Sequence, residues 1–361
     1  MSAEKLELNP NYSHLFESYD NLSSSDSREL AHSMTQAGME QLNNNVLYGE
    51  EIAKKIYLGT LIMGSEGAMA TLFTSIPGQG KSTLLEKGIG LLGIDPSEVA
   101  NIPPRSDMTE KKLIGSIDKL LIKTTKDNVE SLEEINIETP QLIREGIRLL
   151  NFDELNRLNP VAMNSILEIL QKGYISIFDK QGKLQKLNKF DAVFAALNPQ
   201  ETMATNRLDG ALKSRFAWGA VLGRYNEGEL SPSAEAKLFG RFKPGEASPI
   251  ISQDNLSKIR NGIDRVNIPN AQLKLMGKLI VKSRDILDQY GSPYGDNRTV
   301  EQVLRIARVL SMMGNNEYVT EENVIDAVIY NFIPKYALLA ETDENGKPID
   351  PLIFAETEIA A

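Results

Sequence analysis

The sequence predicts an α/β fold, in which helices cover both faces of a parallel sheet, followed by a small all-helical domain. Three observations support this prediction. Short apolar runs alternate with helical patterns between residues 41 and 225, which is typical of strands joined by crossover helices. Polar residues follow three of these runs where each strand would end, and ligands bind at that edge in such folds. Beyond residue 255 the chain has helical patterns only.

The composition narrows the classes of function. Hydrophobic residues make up 41% and charged residues 24% of the 361 residues, the balance of a globular protein with a sizeable core. The formal charge of −10 argues against a nucleic-acid partner. The lack of cysteine and the two histidines argue against disulfides, thiolate zinc sites and serine–histidine catalysis. No apolar run approaches the ~18 residues of a membrane span, so we expect a cytoplasmic protein without membrane insertion.

The first strand is predicted between two helices. Residues Glu50–Met63 carry apolar side chains at near-helical spacing, which predicts a helix. The apolar run Ala68–Thr74 predicts a buried strand, and Leu84–Leu92 predicts the next helix. A glycine-rich segment joins the strand to that helix, and this context gives the segment its meaning.

Two further strands are predicted in the same region. The run Ile147–Phe152 ends at two acidic residues and is followed by a helix at Pro160–Gln171. The run Ala192–Leu197 predicts the third strand. Between them, Tyr174–Phe178 leads into a glycine-containing turn at residues 179–183, which predicts a β-hairpin.

Changes in composition along the chain set the expected domain boundaries. Residues 1–40 are polar and predict an N-terminal arm that is mobile or forms a short helix. The α/β domain spans residues 41–225, a linker rich in Gly, Pro, Ser and Glu spans 226–254, and an exposed tail with an apolar patch at 351–354 spans 339–361. The helical domain spans residues 255–338, with helices at Leu256–Val266, Ala271–Tyr290, Val300–Met313 and Glu321–Tyr330.

The segment of residues 75–83 has the pattern of a phosphate-binding loop. Small residues and free backbone amides let the chain approach a β-phosphate closely. Lys81 would place its charge on the β- and γ-phosphates, and the Ser82 hydroxyl would bind Mg²⁺. Ser75 stands where the pattern usually has its first glycine. The candidate nucleotide-binding residues are Pro77, Gly78, Gln79, Gly80, Lys81, Ser82 and Thr83.

Polar residues after the two later strands complete a candidate catalytic site. Asp153 would hold Mg²⁺ together with Ser82, while Glu154 would orient and polarise an attacking water. Asn198 closes the third strand in a Leu-Asn-Pro turn, and its amide could position the same water. The alternative reading is a solvated acidic pair and an ordinary turn asparagine.

Two arginines are candidates for contact with the γ-phosphate. Arg215 would reach the nucleotide of a neighbouring subunit as an arginine finger, a group worth roughly 10³–10⁵ in rate. Arg298 lies at the start of the third predicted helix of the helical domain. It would contact the phosphate of its own subunit. Each would be a solvated arginine if taken alone.

In this order the motifs resemble the MoxR and magnesium-chelatase subunit I groups of AAA+ ATPases, in the helix-2-insert clade. The resemblance covers roughly residues 45–335 and rests on the phosphate loop, the DELNR segment Asp153–Arg157, the strand before Asn198, the SRF segment 214–216 and an arginine-led helix. Residues Tyr318–Val324 are similar to the end of the MoxR lid. Residues Glu110–Asp118 are more similar to the chelatase subunit.

The resemblance implies a P-loop NTPase fold of the AAA+ type with a helical lid, ATP and Mg²⁺ as ligands, and a homo-oligomeric ring, expected to be a hexamer. It also implies two insertions, one within residues 120–137 and one at the hairpin before Asn198, which face the pore or a client protein. A partner with an integrin-like metal-binding domain is expected on a separate chain. Ser214 departs from the family, whose members usually have an aspartate beside the finger.

Three functions from different classes remain open at the level of sequence. The first is an ATP-driven remodeller that assembles, matures or activates a partner protein. The second is a nucleotide-gated oligomeric scaffold with little hydrolysis, which the departures at Ser75 and Ser214 leave open. The third is the motor subunit of a metal chelatase, whose chelation site would lie on another subunit. The acidic charge makes a DNA motor a fourth and weaker alternative.

Overall fold

The computed structural model describes residues 10–17, 19, 22–47, 49–65, 67, 69–75, 78–103, 120–126, 129–135, 146–158, 160–178, 184–198, 210–223, 232–240, 245–289, 294–337 and 351–359. The expectations for Pro77, for Glu110–Asp118 and for the hairpin turn at 179–183 lie outside these residues.

A parallel sheet of five strands, in the order β2-β5-β8-β1-β9, lies at the centre of the fold. The strands are β1 (Ala70–Thr74), β2 (Val99–Ile102), β5 (Leu149–Phe152), β8 (Ala192–Leu197) and β9 (Phe216–Val221). Apolar side chains on both faces suit a sheet covered on both sides, and every residue of β1 and β8 is buried. The predicted α/β fold class is confirmed. The sequence patterns identified β1, β5 and β8, but not β2 or β9.

The alternation of side chains along β8 divides the core into two layers. Phe194 and Ala196 pack into the larger cluster, which includes the helices Glu51–Met63 and Lys81–Lys87, the N-terminal segment and the C-terminal helices. Val193 and Leu197 pack into the smaller cluster, which includes the helix Pro160–Lys172. Successive residues of a strand point to opposite faces, so a run of apolar residues fills both layers at once.

The helices follow the predicted order with small shifts at their ends. They are α1 (Ser24–Gln41), α2 (Glu51–Met63), α3 (Lys81–Lys87), α4 (Pro160–Lys172), α5 (Gly210–Lys213), α6 (Pro232–Leu238), α7 (Gln253–Gly262), α8 (Asn270–Asp288), α9 (Asn297–Met313), α10 (Glu321–Ala337) and α11 (Pro351–Glu358). Helix α7 begins within the expected linker because Ser252 caps it, accepting a hydrogen bond from the Asn255 amide at 3.2 Å. Helix α6 also lies within that linker. Helices α8, α9 and α10 form the predicted helical region, and α10 packs along β9.

The N-terminal segment is a packed part of the fold rather than a polar arm. Helix α1 starts at a capping box in which Ser23 and Asp26 bond each other's backbone amides. Its apolar side is buried against α2, α7 and α9, with Leu30 at 3% and Met34 at 0% exposure. The expectation of a polar arm is therefore corrected for residues 24–41. These residues form a helix with one buried apolar side, although serines surround its start.

The α/β region also contains two antiparallel strand pairs outside the central sheet. Strands β3 (Leu120–Lys126) and β4 (Val129–Ile135) form one, and β6 (Tyr174–Phe178) and β7 (Leu184–Lys189) form the other. Both occur where insertions were expected.

Helix α11, at the end of the chain, docks on α10. The ring of Phe354 stacks on Tyr336 with centroids 4.5 Å apart and lies 6.3 Å from Phe332. Ala355 and Ile359 are buried, although Ile353 is exposed. The apolar patch expected in an exposed tail, residues 351–354, thus lies at the start of α11 and is partly covered by α10. None of the helices in the described ranges has the length and apolarity that a bilayer crossing requires.

Candidate functional site

The glycine-rich loop between β1 and α3 has the backbone that phosphate binding requires. Gly78 and Gly80 have φ values of +84° and +88°, a region that side chains with a Cβ rarely adopt. At Gly80 a Cβ would also lie 2.6 Å from Cδ1 of Leu47, a buried residue just after the π-helical turn Leu42–Val46. Positive φ and a close neighbour together explain why glycine occurs here.

Lys81 is the first residue of α3 and its side chain turns back into the loop. Its Nζ donates to the Ser75 carbonyl oxygen at 2.8 Å and to Ser75 Oγ at 2.7 Å, and the residue is 8% exposed. The ammonium group is therefore held inside the loop, where a bound phosphate would meet it. Ser75, unlike Gly78 and Gly80, does not have a positive φ, so the backbone tolerates a side chain at this position.

The structure brings Ser82 and Asp153 together at the ends of neighbouring elements. Ser82 Oγ donates to Asp153 Oδ2 at 3.1 Å, across a sequence separation of 71 residues. A hydroxyl and a carboxylate are the hard oxygen donors that Mg²⁺ prefers, and such a site usually leaves the remaining positions to water and phosphate. The donor set therefore fits Mg²⁺ bound together with a nucleotide.

Glu154 adopts an unusual backbone conformation directly after Asp153. Its φ of 52° and ψ of 50° lie in the left-handed region, where non-glycine residues are uncommon. Its Oε2 lies 2.9 Å from Nε of Arg157, and both side chains are about half-exposed at 40% and 38%. Strain of this kind occurs at functional sites, where the surrounding structure holds it in place.

Asn198 follows β8 at the same edge of the sheet. It is 4% exposed, and its carbonyl oxygen accepts a hydrogen bond of 3.0 Å from Nδ2 of Asn156. The backbone amide of Ser75 donates to Leu197, one residue earlier, at 3.3 Å. The loops that carry Lys81, Asp153 and Asn198 are thus joined to each other by hydrogen bonds at the carboxyl edge of the sheet.

Gln79 and Thr83 complete the described part of the loop. Both are half-buried, and Gln79 packs so closely on Gly223 that a Cβ there would lie 2.3 Å from its Cγ. The Gly223 amide donates to Oε1 of Glu50 at 2.8 Å. These contacts fix the loop against the end of β9 and the start of α2.

Arg215 lies at the opposite, amino edge of the sheet. It precedes β9, whose first residue Phe216 pairs with Ala70 at the start of β1. Its Nη1 donates to the Ala211 carbonyl at 2.5 Å and its Nη2 to Gln171 Oε1 at 3.0 Å. A five-residue strand is about 13 Å long, so Arg215 lies far from the phosphate loop of its own chain.

The structure does not bring Arg298 to its own phosphate loop. Its Nη1 donates to Ser214 Oγ at 2.7 Å, beside Arg215 at the amino edge. The expected contact with the phosphate of its own subunit is corrected by this placement. In the described residues the lid helices pack against β9, an arrangement that the helical patterns of the lid do not predict.

Leu47 and Asn156 are site residues that the sequence patterns did not single out. Asn156 lies in the DELNR segment, where its position next to the acidic pair was the available signal. Leu47 gave no signal because its contact with Gly80 depends on the π-helical turn that ends α1.

Comparisons with known proteins agree with this geometry. Residues 75–216 match the family model of the AAA domain, dynein-related subfamily. The crystal structure of a Cytophaga hutchinsonii protein, named as a presumed ATPase, superposes with a TM-score of 0.62 over 86% of this chain and 89% of that chain, at 19% sequence identity. Among curated protein sequences nothing matched. The structural match supports the fold, and the family match covers the phosphate loop, Asp153, Asn198 and Arg215. Residues 75–216 are therefore similar to an AAA domain, and the chain has the AAA+ fold, a parallel sheet with flanking helices followed by a helical region.

Proposed function

We propose that this chain is a MoxR-like AAA+ ATPase, which couples MgATP hydrolysis in a homo-oligomeric ring to the remodelling, assembly or activation of a partner protein. The observation that carries the proposal is the convergence of Lys81, Ser82, Asp153 and Asn198 at one edge of the sheet. In particular, Ser82 and Asp153 are 3.1 Å apart although 71 residues separate them in sequence.

The residues of the site divide the chemistry between them. Ser82 and Asp153 would hold Mg²⁺, which would supply positive charge beside the phosphates. Lys81 would leave Ser75 and bind the β- and γ-phosphates, while Ser82 and Asp153 would orient the metal. Glu154 would hold and polarise the attacking water, for which its carboxylate must leave Arg157. Because a half-exposed ion pair is worth only about 0–1 kcal/mol, this release is easy.

A ring is supported by the separation between the arginines and the phosphate loop. Arg215 and Arg298 lie at the amino edge and the candidate triphosphate site lies at the carboxyl edge, so neither guanidinium can serve its own site. In a closed ring each subunit presents one surface to the opposite surface of its neighbour. The two arginines would then complete the neighbour's site, and Arg215 would be the finger.

The two hairpins support a client-facing role. Strands β3–β4 and β6–β7 form separate two-stranded sheets that do not join the central sheet. Loops carried on a rigid scaffold commonly hold binding residues. We infer that these hairpins contact a client, or a partner chain with an integrin-like metal-binding domain.

The variant Glu154→Gln tests the proposed hydrolysis. Without the carboxylate, ATP should bind with nearly unchanged affinity while turnover falls by at least ~10²-fold, because general base catalysis contributes roughly that much. Steady-state phosphate release and nucleotide titration measure the two quantities, and light scattering should show rings that persist in ATP. Glu168→Gln is the control, because Glu168 is an exposed residue whose described ion pair is with Lys172 within α4.

The same experiment separates the proposal from its alternative. A nucleotide-gated scaffold is favoured by the ion pair between Glu154 and Arg157, which engages the catalytic carboxylate. If the unmodified protein binds ATP but releases no phosphate at any concentration, with or without client, the scaffold is correct. If the protein hydrolyses ATP, clients captured on the Glu154→Gln ring would identify the partner class.

A further inference from the structure

The strand that begins directly after Arg215 is held in place by side chains from the lid. Strand β9 is an outer strand of the sheet among the described residues. Helix α10 packs against β9, where Lys335 Nζ donates to the Phe216 carbonyl oxygen at 2.5 Å and Asn331 Nδ2 donates to that of Ala217. The lid thus satisfies two backbone acceptors at the start of this strand.

A third lid side chain joins these contacts to the residue before Arg215. Gln302 on α9 donates from Nε2 to the Ser214 carbonyl oxygen at 3.1 Å. Its Oε1 accepts from Asn331 at 3.0 Å and from Lys335 at 3.4 Å. The backbone on both sides of Arg215 is therefore bonded to one lid network, which consists of Gln302, Asn331 and Lys335.

This network is buried to an unusual degree for its chemistry. Gln302 and Asn331 are 0% exposed and Lys335 is 1% exposed. Burial lowers the pKa of Lys335 well below its usual value; the charge of Asp296 opposes this shift and that of Arg298 adds to it. The described hydrogen-bond partners of Lys335 are a carbonyl and an amide oxygen, so no carboxylate in them offsets its desolvation. An apolar side chain of similar volume would fill the site at lower cost, which indicates a role other than packing.

We propose that Lys335 and Gln302 are positioning residues for the arginine finger. They fix the start of β9 against the lid, so that Arg215 is presented at a set height and angle to the nucleotide of the neighbouring subunit. Arg298, bonded to Ser214 from the same lid, is carried with it. This inference rests on the proposed ring, in which the finger acts in the neighbour's site.

The role makes a prediction that a purely structural role does not. In rings of Lys335→Met, every phosphate loop is intact but every finger is misplaced. We expect kcat for ATP to fall by about 10-fold to 10²-fold, the effect of a displacement near 1 Å, with little change in the Kd for ATP. In rings of Lys81→Ala the reverse holds, since the fingers are intact and the phosphate loops are not.

Co-expression of the two variants tests the proposal directly. A Lys335→Met subunit beside a Lys81→Ala subunit receives an intact finger, so mixed rings should hydrolyse ATP faster than either parent ring. Gln302→Met should behave in the same way and serves if Lys335→Met does not fold. Lys278→Met, an exposed lysine on α8, removes the same charge from the lid and should leave kcat unchanged.

A mixture of Arg215→Ala with Lys81→Ala distinguishes the possible failures. If this mixture regains activity while the Lys335→Met and Gln302→Met mixtures do not, Arg215 acts in the neighbour's site but the lid network does not position it. If the Arg215→Ala mixture also gains nothing, the finger in the neighbour's site is refuted and the inference falls with it. A Kd for ATP that rises as much as kcat falls would equally overturn the positioning role.

Discussion

Ser75 supplies a second acceptor to the lysine of the phosphate loop. A glycine at this position would lack the hydroxyl, whereas here Ser75 Oγ accepts a hydrogen bond from Lys81 Nζ at 2.7 Å. This bond must break when Lys81 moves to a phosphate. The hydroxyl therefore stabilises the nucleotide-free loop by the net worth of one hydrogen bond to a charged group, about 1.5–3 kcal/mol at most.

We expect Ser75→Ala to bind ATP more tightly, because the variant lacks the hydroxyl that competes with the phosphates for Lys81. Alanine, unlike glycine, does not add backbone freedom at this position. A decrease in Kd of about tenfold corresponds to ~1.4 kcal/mol, the lower end of the range for such a bond. Isothermal titration of nucleotide measures it, with the exposed Ser257→Ala on α7 as control. An unchanged or weaker affinity would show that Ser75 does not compete for Lys81.

At the level of single residues, the sequence was informative where topology alone determines proximity. The carboxyl ends of neighbouring parallel strands meet at one edge, so Lys81, Asp153 and Asn198 could be placed together from strand patterns. The bond between Asn156 and Asn198 could not be foreseen, because it depends on the path of a 3₁₀ turn, Leu155–Arg157. The prediction for Arg298 was wrong for a related reason, because its position depends on how the lid packs on the sheet.

Helix α1 illustrates what can be overlooked at the level of elements. The serine cluster before it suggested a polar arm, yet Ser23 and Asp26 form a capping box, and the buried positions 30, 31, 34 and 37 follow helical spacing. Strand β9 was missed for a different reason. It is a short apolar run that contains Gly219, and glycine lowers the strand signal.

The packing of α1 leads to a test by core substitution. Met34→Ala should lower the free energy of unfolding by about 2–5 kcal/mol, because Met34 is fully buried against the core. Gln36→Ala, two residues along on the exposed side of the same helix, should change it by less than about 0.5 kcal/mol. Urea denaturation of both variants distinguishes a packed helix from a polar arm, for which both changes would be small.

For the whole molecule, the lid and the sheet share one core. The larger cluster runs without a break from Leu30 in α1 through Phe73 in β1 to Phe332 in α10. The sequence predicted both parts and their order, but it carries no signal for the side of the sheet on which the lid lies. That arrangement depends on buried contacts between distant segments, including those of Lys335 with β9.

The buried lysine makes the stability of the whole fold depend on pH. Lys335 has a lowered pKa in the folded chain and a value of about 10.4 when unfolded, so between these values the unfolded chain binds more protons. Stability therefore rises with pH across this window. The unfolding free energy of the unmodified protein minus that of Lys335→Met should increase as the pH rises from neutral towards the unfolded value of about 10.4.

Urea unfolding without nucleotide measures this difference. Lys54, whose pKa burial also lowers, is present in both proteins and cancels. The exposed Lys278→Met should show a difference that does not change with pH. A flat profile for Lys335→Met would mean that Lys335 titrates in the fold as it does in water.

The hydrogen bonds from α10 to β9 also affect the tendency of this chain to aggregate. An uncovered outer strand offers unpaired backbone groups to which a strand of another chain can add, the first step of edge-to-edge aggregation. At the start of β9 the Phe216 and Ala217 carbonyl oxygens already accept hydrogen bonds from α10, so they are not open to an added strand. When copies of the chain are concentrated in an assembly, this part of the outer strand is therefore protected from edge-to-edge pairing.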